Sequence, residues 1–191
     1  MVLPHGFKAR AERLAEDLRA EASADSAKPL DLRAVARCLD VRIVSATDLI
    51  AIERLQEIER IQAFAFSACT FEINGRQVIV FNPLRSAARR ASDVAHELAH
   101  VVLDHDLTEV QYLNEIAFRT CLPGQEQEAT VLGGALLLPR KVLLREARQG
   151  ATVDQIATKY GVTTQMTQFR WNATGVERQV ARERGRRSAD R

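Results

Sequence analysis

Two histidines and a glutamate in the segment HELAH carry the clearest chemical signal in the chain. His96 and His100 are four residues apart, so on an α-helix both imidazoles project from one face and can hold a single ion. Glu97 lies beside them. In sites of the form H-E-x-x-H, two neutral histidines bind zinc while the glutamate takes a proton from a metal-bound water. The spacing therefore predicts a hydrolytic site with one Zn²⁺ per chain and Glu97 as its base. The alternative is a surface helix that carries the three residues by accident.

A catalytic zinc site needs a third protein ligand and one coordination position left open for water. The chain has four histidines. His5 lies in an unpatterned terminus, and His105 would fall on the far side of the same helix, so a carboxylate is expected. Four places can supply it: Asp104, Asp106, Glu115, and the segment EQEATVLGGALLLP with Glu126 and Glu128. Asp104 lies one turn too far along a straight helix, so a capping or supporting role is expected for it.

The elements that position HELAH can be predicted from hydrophobic spacing. FKARAERLAEDLRAE and DLRAVARCLDV have the 3.6-residue period of amphipathic helices, and TDLIAIERLQEIER indicates a third. IQAFAFSACTFEINGRQVIVFNP predicts a β-hairpin around Asn74-Gly75, because both residues tolerate the positive φ of a type I′ turn. One long helix is expected from Leu84 to about His105.

Further helices are predicted downstream of HELAH, over TEVQYLNEIAFR, GQEQEATVLGGALLLP and PRKVLLREARQ, with Pro139 marking the boundary between the last two. The predicted fold class is therefore α+β: a mostly helical domain with a small antiparallel sheet or hairpin, in which one helix carries the H-E-x-x-H motif.

The chain resembles the ImmA/IrrE family of zinc metallopeptidases in two segments, RRASDVAHELAHVVLDH and EQEATVLGGALLLP. In that family an H-E-x-x-H helix is followed by a helix of the form E-A-N-x-F-A-A-x-L-L-M-P. Counting back from the final proline places the family's ligand glutamate on Glu128. The resemblance thus implies a zincin-like fold, Glu97 as the catalytic base, Glu126 as an exposed neighbour, and zinc ligands at His96, His100 and Glu128.

The chain departs from the family pattern at a few positions of the second segment. Thr130 replaces the usual Asn, Leu132 replaces Phe, and Gly133-Gly134 replace two alanines. These changes leave the chemistry intact and bear on how the ligand helix packs. The resemblance extends to about Trp171 and covers most of the chain.

The C-terminal segment TVDQIATKYGVTTQMTQFRW resembles a helix-turn-helix, with Gly161 suited to the turn. Its second helix carries one cation, Arg170, whereas phosphate binding normally needs several. We therefore expect a helical pair that packs beside the zinc site. The predicted organisation is a zincin-like metallopeptidase domain over 1–149, this helical segment over 150–175, and a basic, mobile tail over 176–191, for which a solvated helix is the alternative.

Composition limits the remaining possibilities. The net charge of +2 forces neither a nucleic-acid nor a membrane function. No apolar stretch approaches the length of a membrane span, so a cytoplasmic location is expected. The three cysteines are far apart, which favours buried free thiols over disulfides.

Three functions are compatible with the sequence. The resemblance implies a zinc endopeptidase that cleaves a helix-turn-helix transcriptional repressor of the XRE type, so that stress, prophage or mobile-element genes are derepressed. The alternatives are a non-proteolytic regulator that binds DNA or a partner, and a metallopeptidase-like toxin of a toxin-antitoxin pair.

Overall fold

The computed structural model describes residues 3–63, 66–105, 109–113, 116–120 and 122–189. Within these ranges no helix is long and apolar enough to cross a membrane. The helices are α1 Phe7–Glu21, α2 Leu32–Cys38, α3 Ile52–Ile61, α4 Ala87–Val102, α5 Pro123–Leu137, α6 Arg140–Arg148, α7 Val153–Tyr160, α8 Thr164–Thr174 and α9 Val176–Ala189. The strands are β1 Arg42–Ser45, β2 Ala68–Ile73, β3 Arg76–Phe81, β4 Glu109–Leu113 and β5 Ile116–Thr120. The mostly helical α+β fold is as predicted.

A three-stranded sheet forms one layer of the fold, in the order β1-β3-β2. The predicted hairpin joins β2 and β3, and its turn residues Asn74 and Gly75 have φ values of 53° and 73°. Strand β1 was not predicted, and it pairs parallel to β3, so the sheet is mixed and not purely antiparallel. Strand β2 consequently forms an edge of this sheet.

The two faces of the sheet are buried against different helices. Ile43 and Ile79 belong to the main core, together with Val94 and Leu98 of α4. Val44 and Val78 point to the other face and pack with Leu55 of α3. This alternation follows from the two-residue side-chain period of strands, and it places α4 directly under the sheet.

The segment predicted as the helix TEVQYLNEIAFR instead forms two antiparallel strands, β4 and β5, with Glu109 paired to Thr120 and Leu113 to Ile116. The prediction was wrong because aromatic and β-branched residues, which favour strands, recur through VQYL and IAFRT. The candidate ligands Asp106 and Glu115 lie outside the described residues.

Helix α4 is shorter than predicted at both ends. Ser86 caps its N-terminus by accepting a hydrogen bond from the Arg89 backbone N–H. The helix ends at Val102, and exposed Asp104 adopts a left-handed conformation with φ 52°. The chain therefore turns back, and the His105 N–H donates to the His100 carbonyl over 3.1 Å.

Helix α5 lies at the centre of the molecule, between α1 and α4. Its C-terminal half, residues 131–137, is apolar on all sides, as expected for a buried helix, whereas its first two turns are polar and partly exposed. Arg19 of α1 is itself buried and donates to the Leu136 carbonyl over 2.7 Å, which ties α1 to the end of α5. On the opposite side, Gly133 faces α4 so closely that a Cβ atom there would lie 2.8 Å from the Ala95 carbonyl oxygen.

The last four helices form a second apolar cluster against the end of α5. Gly161 joins α7 to α8 with φ 63°, as the predicted turn requires. Residues 176–189 form a helix, and Val176 and Val180 at its start are buried in this cluster.

Cys38 is exposed, contrary to the prediction of a buried thiol, because it lies at the solvent-facing end of α2, whereas Cys69 is partly buried in β2. Cys121 lies outside the described residues.

Replacing Gly133 by alanine tests the close approach of α4 and α5. The added methyl group meets backbone, which cannot rotate away, so we expect Gly133→Ala to lower the free energy of unfolding by about 1–3 kcal/mol. Gly185→Ala is the matched control, since a Cβ atom at Gly185 of α9 meets nothing within 4 Å. That change should be neutral or stabilising by up to about 1 kcal/mol. Equal denaturation midpoints for the two variants would contradict the packing described.

Candidate metal centre

Three side chains from α4 and α5 converge on one point. The Nε2 atoms of His96 and His100 are 3.0 Å apart. The Glu126 carboxylate lies 3.2 Å from His96 Nε2 through Oε2 and 3.5 Å from His100 Nε2 through Oε1. Metal–ligand bonds of 2.0–2.1 Å at tetrahedral angles separate the ligand atoms by about 3.3 Å. The three residues therefore fit a single zinc ion.

The third residue of this cluster is Glu126, not Glu128 as the resemblance implied. Glu128 instead lies beside His105, with Oε2 3.1 Å from His105 Nε2. The reason is helical geometry. Glu126 shares the α4-facing side of α5 with Thr130 and Gly133, whereas Glu128 is rotated by about 200° from Glu126 around the helix axis. Counting back from Pro139 located the helix that meets α4, and the geometry of that helix favours Glu126 over Glu128 as the third ligand.

The three side chains differ in their exposure to solvent. The His100 side chain is 2% exposed, whereas that of Glu126 is 48% exposed. Burial, reinforced by the neighbouring His96 and His105 and opposed by Glu126, lowers the pKa of His100 to about 4. His100 is therefore neutral at physiological pH, which is the state in which a histidine binds a metal.

Glu97 is held by the edge of the sheet. The Thr70 hydroxyl, itself buried in β2, donates to Glu97 Oε2 over 2.7 Å. Burial raises the pKa of Glu97, while the Thr70 hydrogen bond and the nearby His96 act in the opposite direction. A carboxylate with a raised pKa is suited to taking and returning a proton near neutral pH. Thr70 could not be predicted as a functional residue from the sequence, because a threonine in a strand is ordinary.

A cleft of about 470 Å³ opens beside these groups. Ser67 and Ala68 at the start of β2 line one side, together with His96 and Glu97 of α4. The opposite wall is formed by α8, including Met166 and Phe169. The second helix of the predicted helix-turn-helix thus forms part of the cleft.

Arg170, the cation of α8, is buried and does not face solvent. Its guanidinium donates to the Leu138 carbonyl over 3.1 Å and forms an ion pair with Glu12 of α1. A buried, paired arginine cannot contact a phosphate backbone, so this helix lacks the positive charge that DNA binding needs.

Comparisons with known proteins agree with the geometry. The sequence model described as "Peptidase_M78: IrrE N-terminal-like domain" matches residues 55–172, which include α4, α5 and most of α8. A Mycobacterium tuberculosis transcriptional regulator has a similar structure, with a TM-score of 0.52 and 18% sequence identity. The match covers 86% of this chain and 46% of the regulator, so the chain spans about half of that structure; at this identity the likeness concerns the fold. A comparison with curated proteins finds no significant match.

Alanine substitution at the two glutamates of α5 distinguishes the two candidate ligands. We expect Glu126→Ala to retain far less than one zinc ion per chain after dialysis, because it removes a ligand atom. Glu128→Ala should still bind one zinc ion per chain when zinc is saturating. Metal content measured by mass spectrometry, with circular dichroism to verify folding, checks both variants. If Glu128→Ala lost zinc and Glu126→Ala kept it, Glu128 would be the ligand and Glu126 would not.

Proposed function

The chain belongs to the Peptidase_M78 family of IrrE N-terminal-like domains, and we propose that it is a zinc-dependent endopeptidase. The observation that carries the proposal is the convergence of His96, His100 and Glu126 beside a partly buried glutamate, Glu97, at the wall of a cleft. The set provides three protein ligands, a base and space for a substrate. These are the parts of a catalytic zinc site, whereas a structural site is closed by four ligands and needs no base.

In the proposed reaction the protein side chains hold the metal and move the proton. Zinc bound by the three ligands would act as a Lewis acid and lower the pKa of a water in its open position towards about 7. Glu97 accepts the proton from the attacking water and later gives it to the leaving amine. Thr70 fixes the rotation of the Glu97 carboxylate through the 2.7 Å hydrogen bond to Oε2.

The shape of the site supports cleavage within a chain and not at its end. A second cavity of about 760 Å³ is lined by Glu126 and shares Thr130 and Phe169 with the first cleft. Space for a substrate therefore adjoins His96 in the first cleft and Glu126 in the second cavity. Ala68, the first residue of the edge strand β2, lines the first cleft, and an extended peptide can add to such an edge through backbone hydrogen bonds. We infer that the substrate binds as an extended segment.

The proposed substrate is a helix-turn-helix transcriptional repressor, and its cleavage would derepress the genes that it controls. Family membership supports a regulatory role, as does the likeness to a chain named as a transcriptional regulator. Such a target would place the enzyme in the cytoplasm. The burial of Arg170 weighs against the alternative that this chain itself binds DNA through α8.

Substitutions at Glu97 and His100 test the proposed activity. Glu97→Gln should abolish cleavage while one zinc ion stays bound, because it removes the base and leaves the ligands. His100→Ala should lose both cleavage and zinc. The assay follows proteolysis of a purified helix-turn-helix repressor of the XRE type, with zinc content measured in parallel. Cleavage by Glu97→Gln at the parental rate would show that the mechanism is wrong; intact repressor together with salt-sensitive DNA binding would favour a non-proteolytic regulator.

The hydrogen bond from Thr70 predicts a pH effect. The hydroxyl lowers the pKa of Glu97, so Thr70→Val should raise that pKa further. Glu97 must be ionised to accept a proton, and the acid limb of the kcat/KM profile should therefore move to higher pH, with little change on the alkaline side. Thr70→Ser keeps the hydroxyl and serves as the control. Superimposable profiles for the Val and Ser variants would contradict this role.

A further inference from the structure

Two side chains behind the candidate metal site form a hydrogen-bonded chain with His100. His100 Nδ1 lies 2.9 Å from His105 Nδ1, and His105 Nε2 lies 3.1 Å from Glu128 Oε2. The side chains of His105 and Glu128 are 5% and 20% exposed. These hydrogen bonds thus connect the buried side of the site to a carboxylate on α5.

The positions of the protons in these hydrogen bonds can be assigned by starting from the Glu128 carboxylate. A carboxylate only accepts hydrogen bonds, so the proton of His105 lies on Nε2 and is donated to Glu128. A neutral imidazole carries one N–H, which leaves His105 Nδ1 as an acceptor. His100 Nδ1 must then carry the proton of the second bond. His100 Nε2 is left with a lone pair, and this is the atom that faces His96 and Glu126.

We propose that His105 and Glu128 are positioning residues that fix His100 in the tautomer needed for metal binding through Nε2. This proposal rests on the proposed metal site. A carboxylate that accepts a hydrogen bond from a metal-bound histidine orients that histidine and makes it more basic; here the carboxylate acts through an intervening imidazole. Glu128 therefore supports a ligand without being one.

The local backbone explains how His105 reaches this position. The left-handed residue Asp104 ends α4 and reverses the chain, and the His105 N–H bonds to the His100 carbonyl. The two imidazoles meet edge to face, with ring centroids 5.0 Å apart. Had α4 continued straight, His105 would have pointed away from His100.

We call the hydrogen bonds that link His100, His105 and Glu128 the relay. Zinc affinity, measured by competition with a chromophoric chelator, tests whether the relay supports metal binding. Glu128→Leu removes the acceptor and should weaken zinc binding by about 10–100-fold, with one zinc ion still bound at saturation. Glu128→Gln retains an amide oxygen that can accept the same hydrogen bond, so its loss should be smaller. His105→Phe should resemble Glu128→Leu. Glu21→Gln, on the exposed end of α1, is the charge-matched control and should bind zinc like the parent.

Nitrogen NMR provides a readout that packing alone would not change. In the ¹⁵N-labelled, zinc-loaded parent protein we expect a scalar coupling across the N–H···N bond between the Nδ1 atoms of His100 and His105, with the proton on His100. In Glu128→Leu this coupling should weaken or disappear. A proton on His105 Nδ1 in the parent protein would overturn the relay, and this measurement needs no variant to fold.

The outcomes separate the relay from the metal site. If the parent protein binds no zinc, both the metal site and the relay are overturned. If the parent binds one zinc ion and Glu128→Leu binds it equally tightly, only the relay is overturned. Loss of all zinc from Glu128→Leu, with Glu126→Ala unaffected, would make Glu128 a ligand and also overturn the relay.

Discussion

The close contact between α4 and α5 is the constraint on which the candidate site depends. Two of the candidate ligands lie on α4 and the third on α5, and their nitrogen and oxygen atoms are separated by 3.0–3.5 Å. A shift between the helices of one ångström would break this geometry. Gly133 permits the contact because its missing side chain leaves room for the Ala95 carbonyl. The glycine where the ImmA/IrrE pattern has an alanine is therefore a packing feature that sets the separation of the ligands.

One side of the site is shielded from solvent and the other is open to it, and the residues on the two sides have different roles. The His100 and His105 side chains are 2% and 5% exposed and that of Glu128 is 20% exposed, so their hydrogen bonds are largely shielded from water and can hold one tautomer. His96 lines the first cleft and Glu126 lines the second cavity, where a substrate and a water can enter. Glu97 lies between the two sides, buried enough for its pKa to be raised and held in place by Thr70. The same helix thus supports rigid ligand geometry and an accessible base.

Periodic and local signals were predictable from the sequence, and contacts between distant segments were not. The bounds of α1, the Asn74-Gly75 hairpin and the break at Pro139 follow from hydrophobic spacing and turn chemistry. Strand β1 was missed because four residues carry too little pattern, and β4 and β5 were taken for a helix. The choice between Glu126 and Glu128 depends on which face of α5 meets α4. Likewise, His105 reaches His100 only because α4 ends at Val102, which the pattern of apolar residues did not reveal.

The central claim is that His96, His100 and Glu126 hold one zinc ion. Glu128 does not bind the ion and acts on His100 through His105. Anomalous diffraction at the zinc absorption edge, from crystals of the zinc-loaded protein, tests this most directly. The account predicts a single peak within about 2.0–2.2 Å of His96 Nε2, His100 Nε2 and a Glu126 carboxylate oxygen. A peak bonded to Glu128 in place of Glu126, or no peak between the two histidines, would contradict it.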